Sequence, residues 1–232
     1  LPGWQMAVHY QPARAVGGDF YDFVPLPDGR LVIAVGDVTD KGVPAALVMA
    51  TTRAILRGTA RRQLSPSAAL VRANELLCPE VPASMFVTCL YAVLDPISGR
   101  LQYANAGHDL PYWRHAGRVD ELRATGMPLG LMPGMDYEEK EVVLSPGESL
   151  LLYSDGLVEA HNPQREMFSF PRLRQYMADQ HLHGAALIRF LLSSLESFTG
   201  SDWEHEDDIT MVTLERTAST ASPSTLPAGE RN

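Results

Sequence analysis

The 232-residue chain carries 19 basic against 28 acidic side chains, a formal net charge of −9, and 45% of it is hydrophobic. That length buries a substantial core and suits one large α+β domain. The acidic balance and the lack of a basic run argue against nucleic acid or an anionic membrane as the main partner. Cys78 and Cys89 are the only cysteines, too few to staple a chain of this size, so two reduced thiols and a cytoplasmic setting are expected. No apolar stretch approaches the roughly 20 residues of a spanning helix, and the start lacks the pattern of a secretory signal. Opening at Leu1-Pro2-Gly3-Trp4, the segment looks cut from a longer polypeptide, with regulatory domains expected upstream.

In chain order, residues 6–10 and 19–24 read as short strands, and Leu26-Pro27-Asp28-Gly29-Arg30 supplies turn chemistry before a strand at 31–35, a hairpin that ends in Asp37. Gly42-Val43-Pro44 starts a helical stretch to about Arg62, with proline tolerated in its first turn, and Ser65-Pro66 caps a second helix to about Leu77. Residues 85–94 and 101–104 form a second hairpin around Asp95-Pro96-Ile97-Ser98-Gly99. Strands follow at 111–114 and 119–122, then at 137–144 and 149–153, the last delivering Asp155. Helices are expected at 171–179 and 184–197, and a final strand at 209–214. Residues 1–215 read as one domain and 216–232, rich in Ser, Thr, Ala and Pro, as a disordered tail or linker. Hairpins with helices inserted in pairs predict antiparallel sheets with helices outside, a layered α+β sandwich.

Aspartates recur where the strand-like runs end: in Gly17-Gly18-Asp19, Gly36-Asp37-Val38, Ser154-Asp155-Gly156 and Asp207-Asp208-Ile209. Carboxylate oxygens suit hard divalent cations, whereas zinc and copper recruit Cys or His, which are not grouped at ligand spacing here. An unpaired carboxylate at the end of an apolar strand is costly to bury, which singles out Asp37, Asp155 and Asp207. Asp22, Asp28 and Asp40 also have ordinary readings as turn or capping residues. Gly17, Gly18, Gly42 and Gly156 serve turns and also let the backbone approach a metal or substrate. Gly17-Gly18 lacks the spacing of a dinucleotide fingerprint.

Five motifs carry a family resemblance: Val16-Gly17-Gly18-Asp19-Phe20-Tyr21-Asp22; Gly36-Asp37-Val38 with Lys41-Gly42-Val43-Pro44-Ala45-Ala46; Asn105-Ala106-Gly107-His108; Ser154-Asp155-Gly156; and Asp207-Asp208-Ile209-Thr210. In this order they resemble the SpoIIE-type serine phosphatases of bacteria, a branch of the metal-dependent protein phosphatase (PPM) superfamily, from about Trp4 to Glu215. The resemblance implies an αββα sandwich of two stacked, mainly antiparallel sheets flanked by helix pairs. It also implies two Mn²⁺ or Mg²⁺ ions, a third being open, and hydrolysis of phosphoserine or phosphothreonine on a protein. Asp37 matches the aspartate that bridges both metals, the Val38 carbonyl binds one, and Asp155 and Asp207 complete the other, with Asp208 behind Asp207 as the alternative. Asp19 matches an aspartate acting through metal-bound water.

Arg14, five residues before Asp19, matches an arginine that grips the substrate phosphate elsewhere in the superfamily, though a solvated surface arginine is the ordinary reading. Thr39 stands where other branches place a proton-donating histidine. His108 reads as a replacement acid or as a structural histidine tying down a loop. Cys78 and Cys89 read as packing. By resemblance the substrate is a phosphorylated STAS-type anti-sigma-factor antagonist. The helix pair after Asp37 resembles a switch through which an upstream sensory domain, or homodimer contacts, control metal recruitment, with Met49 and Ala50 expected to pack under its first helix. A non-catalytic partner-binding module and a hydrolase of small phosphoesters are the other readings.

Overall fold

The computed structural model describes residues 1–82, 84–179, 181–200 and 205–217. Their strands pair into two five-stranded sheets. One holds β1 (Trp4–Gln11), β10 (Ile209–Arg216), β9 (Ser149–Tyr153), β6 (Tyr112–His115) and β7 (Arg118–Glu121), in that spatial order. The other holds β2 (Phe20–Pro25), β3 (Leu31–Val38), β4 (Val87–Leu94), β5 (Arg100–Ala106) and β8 (Glu139–Val143). Every ladder is antiparallel. Helices α1 (Val43–Ala60) and α2 (Pro66–Leu77) cover the second sheet, while α4 (Phe170–Asp179) and α5 (Gly184–Thr199) cover the first; between them in sequence lies the single turn α3 (Asp155–Val158).

The alternation of side chains along a strand builds the layers. In β3, Val32 and Ala34 face α1 and α2, whereas Leu31, Ile33 and Val35 face the opposite sheet. In β10, Val212 and Leu214 join that inter-sheet core while Ile209 and Met211 pack under α5. Three apolar layers thus separate four structural ones, the expected αββα sandwich. Each fully buried Val, Leu or Ile contributes roughly 1.5–3 kcal/mol.

Helix α1 starts at Gly42, whose φ of +80° favours glycine, carries Pro44 in its first turn, and buries Ala45, Val48, Thr52, Leu56 and Thr59 at three- and four-residue spacing. Met49 packs against the core, but Ala50 is exposed and does not lie under the helix. Ser65 caps α2 by accepting the Ala68 amide at 3.5 Å.

Three features were not read from the sequence. The turn Ser145-Pro146-Gly147-Glu148 is no hairpin: β8 pairs with β5 and β9 with β10 and β6, so the chain crosses there between sheets. Asp155 opens α3 directly after β9. Arg216, expected in the tail, ends β10 and donates to the carbonyls of Ile97, Ser98 and Leu144 at 2.8 Å each. The rest of the expected tail, 218–232, lies outside the described residues.

Candidate metal centre and active site

Antiparallel pairing brings the aspartates to one edge. Phe20 pairs with Gly36, so β2 begins where β3 ends, and Met211 pairs with Tyr153, so β10 begins where β9 ends. The two ends are joined across the sheets: the Thr210 hydroxyl donates to Asp19 at 2.6 Å, and the Asp19 amide donates to Asp208 at 3.2 Å. Asp19, Asp37, Asp155, Asp207 and Asp208 therefore share one rim of the sandwich.

Glycine is required at two of these positions by close approach. A β-carbon on Gly18 would sit 2.9 Å from the Val38 carbonyl oxygen and 3.4 Å from Asp37 Oδ1. One on Gly156 would lie 2.1 Å from the Asp208 carbonyl oxygen. The bare backbone thus lets the two acidic loops close on each other.

Burial, then the neighbouring charges of Asp19 and Asp155, push the Asp37 carboxyl well above the usual range. Burial also raises Asp19, with Asp208 and Asp155 adding to the effect and hydrogen bonds from Ser154 and Thr210 opposing it. Asp155 is pushed up to about 6 by burial and then by Asp207 and Glu159. Carboxylates crowded in this way lack compensating positive charge, which is the deficit a divalent cation fills. The nearby cation is Lys41, whose ammonium sits 2.9 Å from Asp207 Oδ2 and also donates to the Glu206 carbonyl. Among the described residues no three acidic, histidine or cysteine side chains close into a finished cage, and Asp207 is paired with Lys41. The all-oxygen donor set still fits Mg²⁺ or Mn²⁺.

The remaining expected residues separate clearly. Asp208 is buried with both oxygens occupied, Oδ1 by the Ala13 amide at 2.8 Å and Oδ2 by Asp19, so it clamps the loop that carries Arg14. Arg14 itself is exposed on that loop at the rim. Thr39 donates to the Phe86 carbonyl at 3.1 Å and accepts its amide at 2.9 Å, so the hydroxyl is engaged in backbone pairing. His108 is buried, with Nδ1 2.9 Å from the Thr88 hydroxyl, and burial pushes it down to about 4. Neutral at physiological pH and tied through Thr88 to the Asp37 carbonyl at 3.3 Å, it holds the strand ends together. Cys89 is buried among apolar side chains and burial raises its thiol; Cys78 is partly buried against Asn74. Asp28 pairs with Arg30 in the β2–β3 turn, and Asp40, at a φ of +77°, accepts the Lys41 amide. Asp22 is neither turn nor cap: it is a buried β2 residue gripped at both oxygens by Arg57 of α1.

Sequence reasoning missed Lys41 and the Asp22–Arg57 pair. Lys41 was legible only as a cation four residues after Asp37. For Asp22 and Arg57, 35 residues apart, no local signal exists.

The two-sheet architecture is the fold of PP2C-type phosphatase domains, as in that of SpoIIE from Bacillus subtilis, which superposes with a TM-score of 0.78 at 18% identity over 91% of this chain and 63% of that one. The profile of the SpoIIE family (Stage II sporulation protein E) matches residues 27–217, and the chain belongs to that family. It is 30% identical over 244 residues to Protein IcfG of Synechocystis sp., a match covering 93% of this chain and 38% of the relative. To phosphoserine phosphatase RsbU of Bacillus subtilis it is 30% identical over 209 residues, covering 88% and 61%. The structure of the RsbU and RsbW domains of Rv1364c from Mycobacterium tuberculosis superposes with a TM-score of 0.78 at 31% identity, over 94% of this chain and 61% of that one. The chain thus spans less than two thirds of the length of each of these relatives.

Proposed function

We propose that this domain is a Mn²⁺- or Mg²⁺-dependent protein phosphatase that hydrolyses phosphoserine or phosphothreonine on a regulatory phosphoprotein. The observation that carries the reading is the convergence of Asp19, Asp37, Asp155 and Asp207 on one rim, with the repulsion among the first three uncompensated. Membership of the SpoIIE family and 30% identity to a protein named phosphoserine phosphatase support it. The substrate class is a STAS-type anti-sigma-factor antagonist in the cytoplasm, with an upstream sensory domain or homodimer contacts as regulator. Among the described residues no helix is long and apolar enough to cross a membrane.

Asp37, the Val38 carbonyl, Asp155 and Asp207 would hold the cations, with Asp19 beside them. Cations bound there would acidify water at neutral pH and neutralise charge on the phosphoryl oxygens, the two needs of phosphate monoester hydrolysis. The chain's own part is positioning. Gly18 lets the Asp19 loop lie against the Val38 carbonyl, while the Thr210 hydroxyl fixes Asp19 by a hydrogen bond. Asp208 holds the 13–19 backbone so that Arg14 stands at the rim, where a guanidinium fork suits the incoming phosphate. Lys41 neutralises Asp207 and must yield as a cation is taken up. The test is phosphate release from a phosphoserine protein by the chelated domain before and after Mn²⁺ is restored. Release that appears only with the metal is expected; release unaffected by chelation, or none with either metal, overturns the reading.

A further inference from the structure

Beside the acidic rim lies an open cleft of about 400 Å³ between the start of β2 and the outer turns of α1, with Asp19 at one end and Tyr10, Asp22, Met49, Arg53 and Arg57 along it. The lining as a whole is balanced, Asp19 and Asp22 against Arg53 and Arg57, but around Asp22 two arginines share one carboxylate. Arg57 and Asp22 satisfy each other through two hydrogen bonds, which leaves Arg53 as surplus positive charge in a molecule of net charge −9. Arg53 holds Asp22 only as a long ion pair, its Nε 3.9 Å from Asp22 Oδ2 and beyond hydrogen-bond reach. That nitrogen is buried and has no acceptor among the described residues, while 40% of the side chain is open to the cleft. A buried guanidinium donor without an acceptor is rare in a finished structure, and an anion entering the cleft would supply one.

The spacing says which anion. Asp19 and Asp22 are three residues apart along an extended segment, roughly 10 Å at about 3.3 Å per residue. A phosphoserine held at the Asp19 end would therefore place the side chain about three residues away in an extended substrate beside Arg53. We infer that this cleft is a second substrate subsite, in which Arg53 binds an acidic side chain of the phosphoprotein about three positions from the phosphoserine. The inference rests on the phosphatase reading. Arg57 does not share the task, since both of its partner oxygens belong to Asp22; it orients the wall on which Arg53 stands.

The experiment is a comparison of ratios. Phosphoserine peptides carrying Glu or Ala three residues to either side of the phosphoserine are assayed with the Mn²⁺-loaded domain and with Arg53→Gln. In the wild type, kcat/KM for the better Glu peptide exceeds that of its Ala counterpart by about tenfold, the scale of one charge-assisted hydrogen bond; in Arg53→Gln the ratio falls to about one. A ratio near one in the wild type on both sides, or the same ratio in both proteins, overturns the subsite. The ratio is also read as Kd by fluorescence anisotropy with non-hydrolysable phosphonate versions of the peptides. If the wild type hydrolyses neither peptide, the phosphatase reading fails, and the Kd ratio alone decides the subsite.

Discussion

Gly18→Ala isolates the packing under the proposed metal centre without altering a ligand. Its φ is not positive, so an alanine meets no backbone strain there, and the effect is steric. The new methyl carbon would lie 2.9 Å from the Val38 carbonyl oxygen, 3.4 Å from the Ala45 β-carbon and 3.4 Å from Asp37 Oδ1. Ordinary contact to the oxygen requires the two loops to separate by about 0.5 Å, and overpacking of this kind costs about 1–3 kcal/mol. At roughly 2–4 °C per kcal/mol for a domain of this size, a 2 kcal/mol loss lowers Tm by about 4–8 °C. Manganese affinity should fall at least about tenfold, because displaced supporting groups cost metal sites 10–100-fold. Gly58→Ala is the control: it lies in α1 with open space around its β-position and should stabilise by about 0.5–1 kcal/mol without changing metal binding. Calorimetric manganese titration and thermal unfolding of both variants decide it. Gly18→Ala with wild-type manganese affinity would refute the claim that the Asp19 loop and the Val38 carbonyl form one site.

Asp208→Ala should leave the Ala13 and Asp19 amides without their acceptor and cost roughly 2–4 kcal/mol in thermal unfolding. If the loss is nil, Asp208 is no loop clamp. Arg14→Ala should raise KM for a phosphoprotein more than it lowers kcat, and unchanged steady-state kinetics would return Arg14 to the solvent. Asp109, pushed up to about 7 by burial and then by Asp155 and Glu159, binds a proton in the folded chain over a pH range where the unfolded chain has released it. Metal-free stability therefore falls as pH rises from about 4 to 7, and Asp109→Asn should stabilise the chelated domain by roughly 2 kcal/mol at pH 8, with the gain shrinking towards pH 4. A pH-independent difference in Tm would contradict that cause.

What the sequence made legible was local. The apolar run of β3, the turn residues of the β2–β3 and β4–β5 hairpins and the Ser65-Pro66 start of α2 each lie within a few residues, and the structure has them where they were expected. The recurrence of aspartate at strand ends was equally visible, because antiparallel strands can bring such ends to one rim. Sheet membership was not: β8 and β9 flank an ordinary turn yet enter different sheets, a choice made by strands far away in sequence. Asp207 and Asp208 could not be told apart because neighbouring residues face opposite ways, and only the fold shows that Asp208 meets Ala13, 195 residues distant, while Asp207 meets Lys41. Asp22 looked like turn chemistry because its partner Arg57 lies on the far end of a helix.

The most direct test of the central claim is manganese binding and phosphate release measured together on the wild-type domain and Asp37→Asn. If Asp37 holds the cations that drive hydrolysis, the wild type shows saturable release that follows metal occupancy, and Asp37→Asn loses both tight manganese binding and turnover while unfolding at a temperature no lower than the chelated wild type. Wild-type manganese affinity and phosphate release in Asp37→Asn would contradict the account.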